Sequence, residues 1–468
     1  MSFVEFRFLW FFLAVFIVYW AMRSNSARKV WLLICSYAFY AAWNWKFTFL
    51  VLGSTTVDYI VGKMLGHRET SAWRRFWIAV SVCVNLGVLG FFKYFNFFIS
   101  SASGFLSWLG LPASVNTLNI ILPVGISFYT FHSMSYTIDV YRGKQRPISS
   151  FIDVALFISF FPPLVAGPIV RAVNFLPQLV SARRFSTVDV RGAGLLFLSG
   201  FIKKACIADG VAPIADRYFG HPVNFTPTSA WIGVLCYAIQ IYCDFSGYTD
   251  MAIAAARLLG YQLPDNFRFP YFAQNVSDFW RRWHISLSSW LRDYLYIPLG
   301  GNRGPRWFVY RNIMITMLLG GLWHGAAWTF VIWGALHGTA LLIHREWMRL
   351  TGDLRWAIRA MRWLAWPITV YAVCVAWVLF RAHDLGSAGT ILKQFVLFRG
   401  GGSEHFHRWM LLVVGALAVI HWLNFRRQFA EPWRRWPAPV FAAAYGCTAA
   451  VVLLFVPPHY TPFIYFQF

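Results

Sequence analysis

The sequence predicts an all-α polytopic membrane protein, and its overall composition supports that fold class. Hydrophobic residues make up 58% of the 468 positions, and charged residues only 13%. The mean hydropathy is +0.53, whereas a soluble domain carries about 25% charged residues. This composition excludes an ordinary soluble enzyme and a disordered chain. It is typical of a chain with many apolar membrane spans.

Apolar runs that could enter a bilayer recur along the whole chain. Several are short or interrupted by Gly and Pro, so we expect about 10 to 13 helices, some of them re-entrant. The interruptions at 123–125, 162–163 and 167–168 suggest a cavity, since irregular backbone at membrane depth must be buried in protein or line water. The candidate spans are 8–22, 30–44, 46–62, 76–92, 118–138, 151–170, 192–208, 229–246, 312–341, 363–380, 408–424 and 438–456.

Basic residues outnumber acidic residues by 41 to 18, and the net charge is +23. They lie in short segments between apolar runs, which indicates the positive-inside bias of a membrane protein and no nucleic-acid partner. The Arg-rich segments 281–311, 345–362 and 425–436 are therefore predicted to be cytoplasmic. Basic residues follow the first run, 8–22, which predicts an uncleaved span with a periplasmic N-terminus. The tail, 457–468, is predicted to lie outside.

Common catalytic and metal-binding motifs are missing from the chain. The seven cysteines form no CxxC pair, so neither a disulfide framework nor a metal site is predicted. No GxSxG, P-loop or HExxH motif occurs. Candidates for chemistry are therefore the ionisable residues that lie inside apolar runs.

The segment between two predicted cytoplasmic arginines is too short for two full spans. Only 33 residues separate Arg311 from Arg345. They correspond to roughly 50 Å of helix, whereas two crossings need about 60 Å and a turn. The segment is therefore predicted to turn back inside the membrane. His324 follows Arg311 by 13 residues, about 20 Å of helix, and should lie near the middle of the membrane.

The motif GGLWHG at 320–325 makes His324 the first candidate for chemistry. An ionisable residue inside a membrane domain is a functional candidate, and a neutral imidazole is a suitable general base for a hydroxyl nucleophile. The neighbouring glycines allow backbone or substrate to approach closely. The position also fits a histidine that only hydrogen-bonds one helix to another.

The second candidate is the segment 278–294, which reads DFWRRWHISLSSWLRDY. As one helix it carries an apolar stripe and predicts an amphipathic helix in the cytoplasmic interface. It would be either an anchor or a basic mouth for an anionic donor, such as a coenzyme phosphate, with His284 pointing inward. The stripe consists of Phe279, Trp283, Leu287, Trp290 and Tyr294.

Further polar residues in apolar runs are predicted to be mainly structural. Asp244 and Asp250 lie six residues apart, so on a helix they face opposite directions and form no acid–base dyad. Pairing with a basic residue or a helix contact is expected for them. His337 lies 13 residues after His324, about 140° away on one continuous helix, and should not share its site. His132 is expected to be a core or cavity histidine.

An ordered set of motifs over most of the chain resembles the membrane-bound O-acyltransferase (MBOAT) family. The resemblance is strongest to the bacterial branch that acetylates exopolysaccharides such as alginate and cellulose, and weaker to the D-alanyl transferases of teichoic acids. The motifs are LPVGISFY at 122–129, DVYRG at 139–143, AGPI at 166–169, GFIKK at 200–204, DFSGY at 244–248, the segment 278–302, GGLWHG at 320–325, WGALHG at 333–338 and FIYFQF at 463–468.

The resemblance implies an MBOAT-like ring of helices around a thin centre, with a central cavity that enters from each side. It implies a single membrane domain over 1–468, with a core motif region at about 118–345 and C-terminal spans in 363–456. In the family, an acyl thioester approaches from the cytoplasm and an acceptor hydroxyl from the other side. The invariant histidine of the family corresponds to His324, and its second conserved polar position to His284.

The resemblance also implies a mechanism of O-acyl transfer. His324 is expected to take the proton of an acceptor hydroxyl, which attacks the acetyl thioester carbonyl. His284, Asn302 or a backbone N–H is expected to stabilise the oxyanion. Donor phosphates are expected on Arg281, Arg282 and Arg303. The cavity is expected to be lined by Trp323, Asp244, Tyr248 and His132.

The resemblance places this reaction at the bacterial inner membrane. Acetyl-CoA is the expected donor, with no bound cofactor. The expected partners are a periplasmic acetyl-accepting or acetyltransferase protein, an exopolysaccharide as final acceptor, and membrane lipids. Motifs do not separate alginate from cellulose, although the chain length slightly favours cellulose or another glucan.

Two other functions fit part of the pattern. A transporter, or a structural subunit of a secretion complex, would also have deep polar residues and broken helices. Coupling carboxylates on facing broken helices and a repeat between the halves would support transport, and neither is visible. A lipid O-acyltransferase would need a lateral opening for an acyl chain. Thioester dependence and the identity of the acceptor separate these functions.

Overall fold

Every regular element in the described part of this computed structural model is a helix, which confirms the predicted all-α fold. The structure describes residues 1–67, 70–111, 117–352, 355–426, 432–457 and 462–464, and only the backbone of 355–362 and 432. Parts of the predicted cytoplasmic segments 345–362 and 425–436, and of the predicted external tail 457–468, lie outside this description.

The helices begin and end where Gly, Pro or a capping side chain interrupts the apolar runs. Ser24, Thr70, Ser150, Asn275 and Asp384 each accept a main-chain N–H at a helix N-terminus, which satisfies a donor without an intrahelical partner. The α-helices are α1 (Phe6–Ala21), α2 (Asn25–Asn44), α3 (Lys46–Gly66), α4 (Ser71–Leu89), α5 (Phe95–Trp108), α6 (Ile126–Tyr141), α7 (Phe151–Ser159), α8 (Phe161–Leu164), α9 (Ala172–Val180), α10 (Val190–Phe201), α11 (Asp209–Gly220), α12 (Pro227–Leu258), α13 (Val276–Arg282), α14 (Ile285–Leu291), α15 (Arg306–His324), α16 (Trp328–Leu350), α17 (Arg355–Arg381), α18 (Leu385–Leu397), α19 (Met410–Phe425) and α20 (Ala438–Leu453).

Several predicted spans are divided into shorter pieces. π-helices occupy Gly90–Tyr94, Ile202–Ala208 and Arg292–Tyr296, and short 3₁₀ turns occupy Phe185–Thr187, Pro222–Asn224, Pro270–Phe272 and Pro432–Arg435. Among the described residues, Ser71–Trp108 and Trp363–Arg381 are long and apolar enough to cross a membrane, and α1, α19 and α20 are shorter apolar helices. The interruption at 123–125 is confirmed, since Gly125 has a positive φ of 74° and α6 begins after it.

The described residues form two compact units. One comprises Met1–Phe197 and Tyr248–Pro264, and the other comprises Leu198–Gly247 and Asp265–Phe468. The single membrane domain over 1–468, with its core at 118–345 and its C-terminal spans in 363–456, stays a prediction.

In the first unit, a buried polar network joins α3, α4 and α6. Asp58 accepts hydrogen bonds from the Ser81 hydroxyl at 2.6 Å and from the Asn85 amide at 2.9 Å. The Ser81 and Thr137 hydroxyls are 2.9 Å apart. All four side chains are buried. They hold three apolar helices together by hydrogen bonds that a hydrocarbon environment cannot replace.

In the second unit, α15 and α16 form a tight helical hairpin. A Cβ atom at Gly321 would lie 2.3 Å from the main-chain oxygen of Phe330, and one at Gly334 would lie 2.3 Å from that of Met317. The two backbones therefore touch only because these positions have no side chain. The predicted turn-back of this segment is confirmed, with α15 ending at His324 and α16 beginning at Trp328.

We expect Gly334→Ala to destabilise the second unit, because its methyl group would meet backbone that cannot rotate away. Overpacking of this kind costs about 1–3 kcal/mol. The midpoint of thermal unfolding of the purified protein in detergent measures the effect. Gly389→Ala is the matched control, since a Cβ atom on α18 at that position meets nothing within 4 Å. Equal midpoints for the two variants would contradict the close contact.

Candidate active site

His324 lies at the turn of the α15–α16 hairpin and is only 4% exposed. Its imidazole meets three aromatic rings nearly at right angles. The centroid distances are 5.0 Å to Trp323, 5.0 Å to Trp333 and 5.2 Å to Phe380. Edge-to-face packing of this kind is favourable and restrains the ring, so His324 has a defined orientation.

A cavity of about 460 Å³ begins at His324 and follows the hairpin. On α15 it is lined by Thr316, Gly320 and His324, which are four residues apart and share one helix face. On α16 its lining extends from Trp333 to Met348, and the part from Trp333 to Arg345 corresponds to about 18 Å of helical rise. The cavity therefore has His324 in one part and Arg345 in another, well separated along the hairpin.

The end of the cavity away from His324 is basic. Arg292, His344 and Arg345 line it, and no Asp or Glu is among its described lining residues. Arg292 pairs with the neighbouring Asp293 at 2.6 Å. Arg345 donates to the amide oxygen of Asn302 at 3.1 Å, and the Tyr296 hydroxyl donates to the same oxygen at 2.8 Å. A neutral amide thus holds the Arg345 guanidinium without neutralising its charge. We call Arg292, His344 and Arg345 the basic rim.

His284 lies next to His324 but is not among the residues that line the cavity. It is fully buried, and the two imidazole centroids are 6.3 Å apart. Phe245 meets the His284 ring at 4.7 Å and 90°. His284 has φ 42° and ψ 54°, a left-handed conformation that non-glycine residues adopt rarely. The two histidines thus form a buried pair.

The prediction of one amphipathic helix over 278–294 is wrong. The left-handed backbone of His284 turns the chain between α13 and α14, and a π-helix follows from Arg292 to Tyr296. Phe279, Trp283 and Leu287 of the predicted stripe are buried in the protein. The stripe therefore packs into the core of this unit and does not form the surface of an interfacial anchor.

Asn266, which the sequence did not indicate, supports the turn at His284. Its side-chain oxygen accepts the main-chain N–H of Ser286 at 3.2 Å and the Ser286 hydroxyl at 2.9 Å. The same oxygen lies 3.1 Å from Nδ1 of His284. The main-chain oxygen of Asn266 accepts the N–H of Ile285 at 3.0 Å. The loop between α12 and α13 thus holds the turn from the side.

Comparisons with known proteins assign the chain to a family. The model of the membrane-bound O-acyltransferase family matches residues 144–383. Over 434 residues, the chain is 43% identical to the probable alginate O-acetylase AlgI of Pseudomonas aeruginosa. The matched region covers 91% of this chain and 82% of that protein. The chain belongs to the membrane-bound O-acyltransferase family.

Other relatives of this O-acyltransferase carry related names. The peptidoglycan O-acetyltransferase of Helicobacter pylori is 40% identical over 424 residues, with 85% of this chain and 79% of that protein covered. The teichoic acid D-alanyltransferase of Bacillus subtilis is 28% identical over 279 residues, and the match covers 56% of this chain and 69% of that protein. The family membership confirms the predicted polytopic membrane enzyme. It does not support the alternatives of a transporter or a structural subunit.

The structure of this O-acyltransferase brings three of the predicted site residues together. Trp323 meets His324 at 5.0 Å and His284 at 5.9 Å. It is not among the residues that line the cavity, where the sequence led us to expect it. Asn302 is not part of this group, because it is exposed and contacts Arg345 at the basic rim. The structure therefore does not group Asn302 with His324, and an oxyanion contact from Asn302 stays a prediction.

The three arginines predicted to hold donor phosphates do not line the cavity. Arg281 and Arg303 are exposed, and Arg282 pairs with Asp278 at 2.9 Å. The rim positions belong to Arg292 and Arg345, whose place depends on the three-dimensional contacts of the π-helix and α16. A donor contact from Arg281, Arg282 or Arg303 stays a prediction.

Asp244 is an ion-pair residue and does not line the cavity, contrary to expectation. One of its oxygens lies 2.7 Å from the ammonium of Lys204, which also contacts Asp209 at 2.7 Å. The other oxygen accepts the main-chain N–H of Ile464 at 2.7 Å. The expected pairing with a basic residue is present, and it ties α12 to the end of the chain.

Tyr248 and His132 belong to the first unit and do not line the cavity either. Tyr248 packs on Phe3 with ring centroids 4.6 Å apart. Nε2 of His132 accepts the main-chain N–H of Val170 at 3.1 Å. Of the two roles expected for His132, core or cavity histidine, this contact fits the core histidine.

His337 is not on a continuous helix with His324, so the angular argument for it was wrong. The helix breaks at Gly325, and His337 lies on α16. It is buried and packs against Trp333 at 4.7 Å and Trp280 at 5.1 Å. This packing role agrees with the structural role that we predicted.

We expect Asp244→Ala to lower stability strongly, because the buried Lys204 ammonium would lose its 2.7 Å contact with a carboxylate. Breaking a buried ion pair costs about 3–5 kcal/mol. Thermal unfolding in detergent measures the change. Asp265→Ala is the matched control, since its pair with Arg268 is 49% and 68% exposed and exposed pairs contribute little. A loss no larger than that of the control would contradict a structural role for Asp244.

Proposed function

We propose that this enzyme moves an acetyl group from acetyl-CoA toward an exopolysaccharide, at the bacterial inner membrane, with its N-terminus in the periplasm. The names of the relatives support acetyl transfer to a cell-surface polymer. The structural observation that carries the proposal is the cavity that joins His324 to the basic rim. The cavity contains both a base that can accept the proton of a hydroxyl, His324, and a cationic site that can bind an anionic donor, the basic rim.

The shape of the cavity suits a coenzyme thioester. The phosphates of acetyl-CoA would bind the Arg345 guanidinium, and Arg292 if they displaced its partner Asp293, since guanidinium groups bind phosphate well. The neutral pantetheine arm would pass along walls that include Leu291, Met317 and Leu341. The thioester would then reach His324, which packs on Trp333 at 5.0 Å, about 18 Å of helical rise before Arg345.

His324 would act as the general base of the transfer. It takes the proton of the acceptor hydroxyl while the hydroxyl oxygen forms a bond to the thioester carbonyl carbon. The tetrahedral intermediate then loses its carbon–sulfur bond, and the acetyl group stays on the acceptor oxygen. The departing thiolate takes the proton from His324, so the enzyme returns to its starting state.

A periplasmic protein with a nucleophilic serine is our proposed direct acceptor, which passes the acetyl group to the polymer. The curated relatives include proteins named for alginate and for peptidoglycan. The final acceptor that we propose is an exopolysaccharide, cellulose or alginate. The sugar signals of the acetylated polymer identify it directly.

A lipid O-acyltransferase is the second candidate and fits the site less well. Phe380 packs on Trp333 at 5.4 Å and on Phe330 at 4.9 Å. Phe380 also packs on the His324 ring at 5.2 Å, so aromatic rings surround the base that the acyl group must reach. We expect such packing to favour an acetyl group over a long acyl chain.

We expect His324→Ala to abolish acetylation of the polymer without removing the protein from the membrane, because no base then accepts the hydroxyl proton. NMR of the polymer from the source cells measures its acetyl content at matched membrane levels of enzyme. His383→Ala, at an exposed histidine, is the control and should leave the acetyl content unchanged. Full acetylation by His324→Ala would refute the assignment, and loss of the whole polymer would favour an assembly role.

We expect Arg345→Ala to raise KM for acetyl-CoA about tenfold or more, because a charge-assisted hydrogen bond contributes about 1.5–3 kcal/mol. The value of kcat should change little, since the rim is far from the reacting bond. S-acetylpantetheine has no phosphate, so its KM should not change. Arg399→Ala is the matched control at an exposed arginine that does not line the cavity. An equal rise in KM for both donors would contradict the phosphate contact.

A further inference from the structure

Hydrogen-bond donors converge on the side-chain oxygen of Asn266. The main-chain N–H of Ser286 and its hydroxyl lie 3.2 Å and 2.9 Å from that oxygen, and Nδ1 of His284 lies 3.1 Å away. A main-chain N–H can only donate, so the atom of Asn266 that faces it must be the amide oxygen. An amide oxygen can only accept, so Nδ1 of His284 must carry a proton.

The surroundings of His284 favour the neutral form of its imidazole. The residue is 0% exposed, and its ring packs against Phe245, Trp323 and His324. A buried cation in such surroundings is costly. A neutral imidazole has one proton, so with Nδ1 protonated the other nitrogen, Nε2, is an acceptor.

The backbone around His284 is built to hold this arrangement. His284 adopts the left-handed conformation, which surrounding contacts must maintain for a residue with a side chain. The main-chain oxygen of Asn266 accepts the N–H of Ile285 at 3.0 Å, and the N–H of Arg268 donates to the oxygen of Arg282 at 2.9 Å. The loop that carries Asn266 therefore brackets His284 on both sides.

We propose that Asn266 is a positioning residue that keeps His284 neutral, with its proton on Nδ1 and with Nε2 as an acceptor beside His324. The proposal rests on the proposed function, in which His324 becomes a cation when it takes the hydroxyl proton. A neutral acceptor at 6.3 Å, centroid to centroid, stabilises that cation. A second cation or a donor N–H at the same place would oppose it. His284 therefore supports the base and is not the oxyanion donor that the sequence led us to expect.

The test compares Asn266→Asp with Ser286→Ala in purified enzyme, with acetyl-CoA as donor and initial rates as the readout. Aspartate has the shape of asparagine and keeps every accepted hydrogen bond, but its charge stabilises a doubly protonated His284. We expect kcat of Asn266→Asp to fall at least tenfold, with KM for acetyl-CoA within twofold of the wild type. Ser286→Ala removes another donor from the same oxygen and should keep kcat within about twofold. A wild-type kcat for Asn266→Asp overturns the proposal.

A double-mutant cycle keeps the proposal testable if Asn266→Asp fails to fold. Asn266→Ala and His284→Ala should each lower kcat, and the double variant should be no slower than His284→Ala alone, because Asn266 acts through His284. Multiplicative losses would mean that Asn266 acts independently and would overturn the proposal. A fully active His284→Ala would also overturn it, while the proposed function would still stand if His324→Ala is inactive.

Discussion

The direct backbone contact between α15 and α16 is the constraint on which the rest of the site depends. Gly321 and Gly334 let the two helices touch without side chains between them. The chain can then reverse within three residues, between His324 and Trp328. This reversal sets the position of His324 at the turn, the direction of the cavity and the separation of the imidazole from the basic rim.

Around this hairpin, the second unit stabilises polar groups in apolar surroundings by pairing them internally. Lys204 contacts both Asp209 and Asp244, and Asp244 also binds the main chain of Ile464. The side-chain oxygen of Asn266 likewise pairs with polar groups of the turn at His284, namely Nδ1 of His284 and the main-chain N–H of Ser286. These groups are buried and cannot readily exchange their partners for water, so each pairing also restrains the position of the backbone that carries it.

Much of the fold and the main candidate residue could be predicted from the sequence, because they depend on local pattern and length. Low charge and apolar runs indicated the helical membrane fold, and the short distance from Arg311 to Arg345 indicated a hairpin with a deep His324. Asn266 could not be found this way, because its contact with His284 spans 18 residues and leaves no periodic signal. The separation of Asn302 from His324 could not be found for a related reason. It depends on the whole length of α15, which carries the chain from the rim to His324.

The apolar stripe of 278–294 illustrates a limit of periodicity. The stripe predicted the buried residues correctly, since Phe279, Trp283 and Leu287 are buried. These residues, however, belong to two short helices and the turn between them, and not to one continuous helix. Periodicity reports which residues face the core and does not detect a single left-handed residue between them. That residue, His284, is also the one whose contacts matter most for the proposed chemistry.

The distance between the basic rim and His324 has a consequence for product release in the proposed reaction. Acetyl-CoA and coenzyme A carry the same phosphates, so Arg345 would hold both equally well. The rim would then not distinguish the donor from the product. Spent coenzyme would compete with fresh donor for the same arginine, and turnover in the cell would follow the ratio of acetyl-CoA to coenzyme A more closely than the concentration of either. Polymer acetylation would then report the energy state of the cytoplasm.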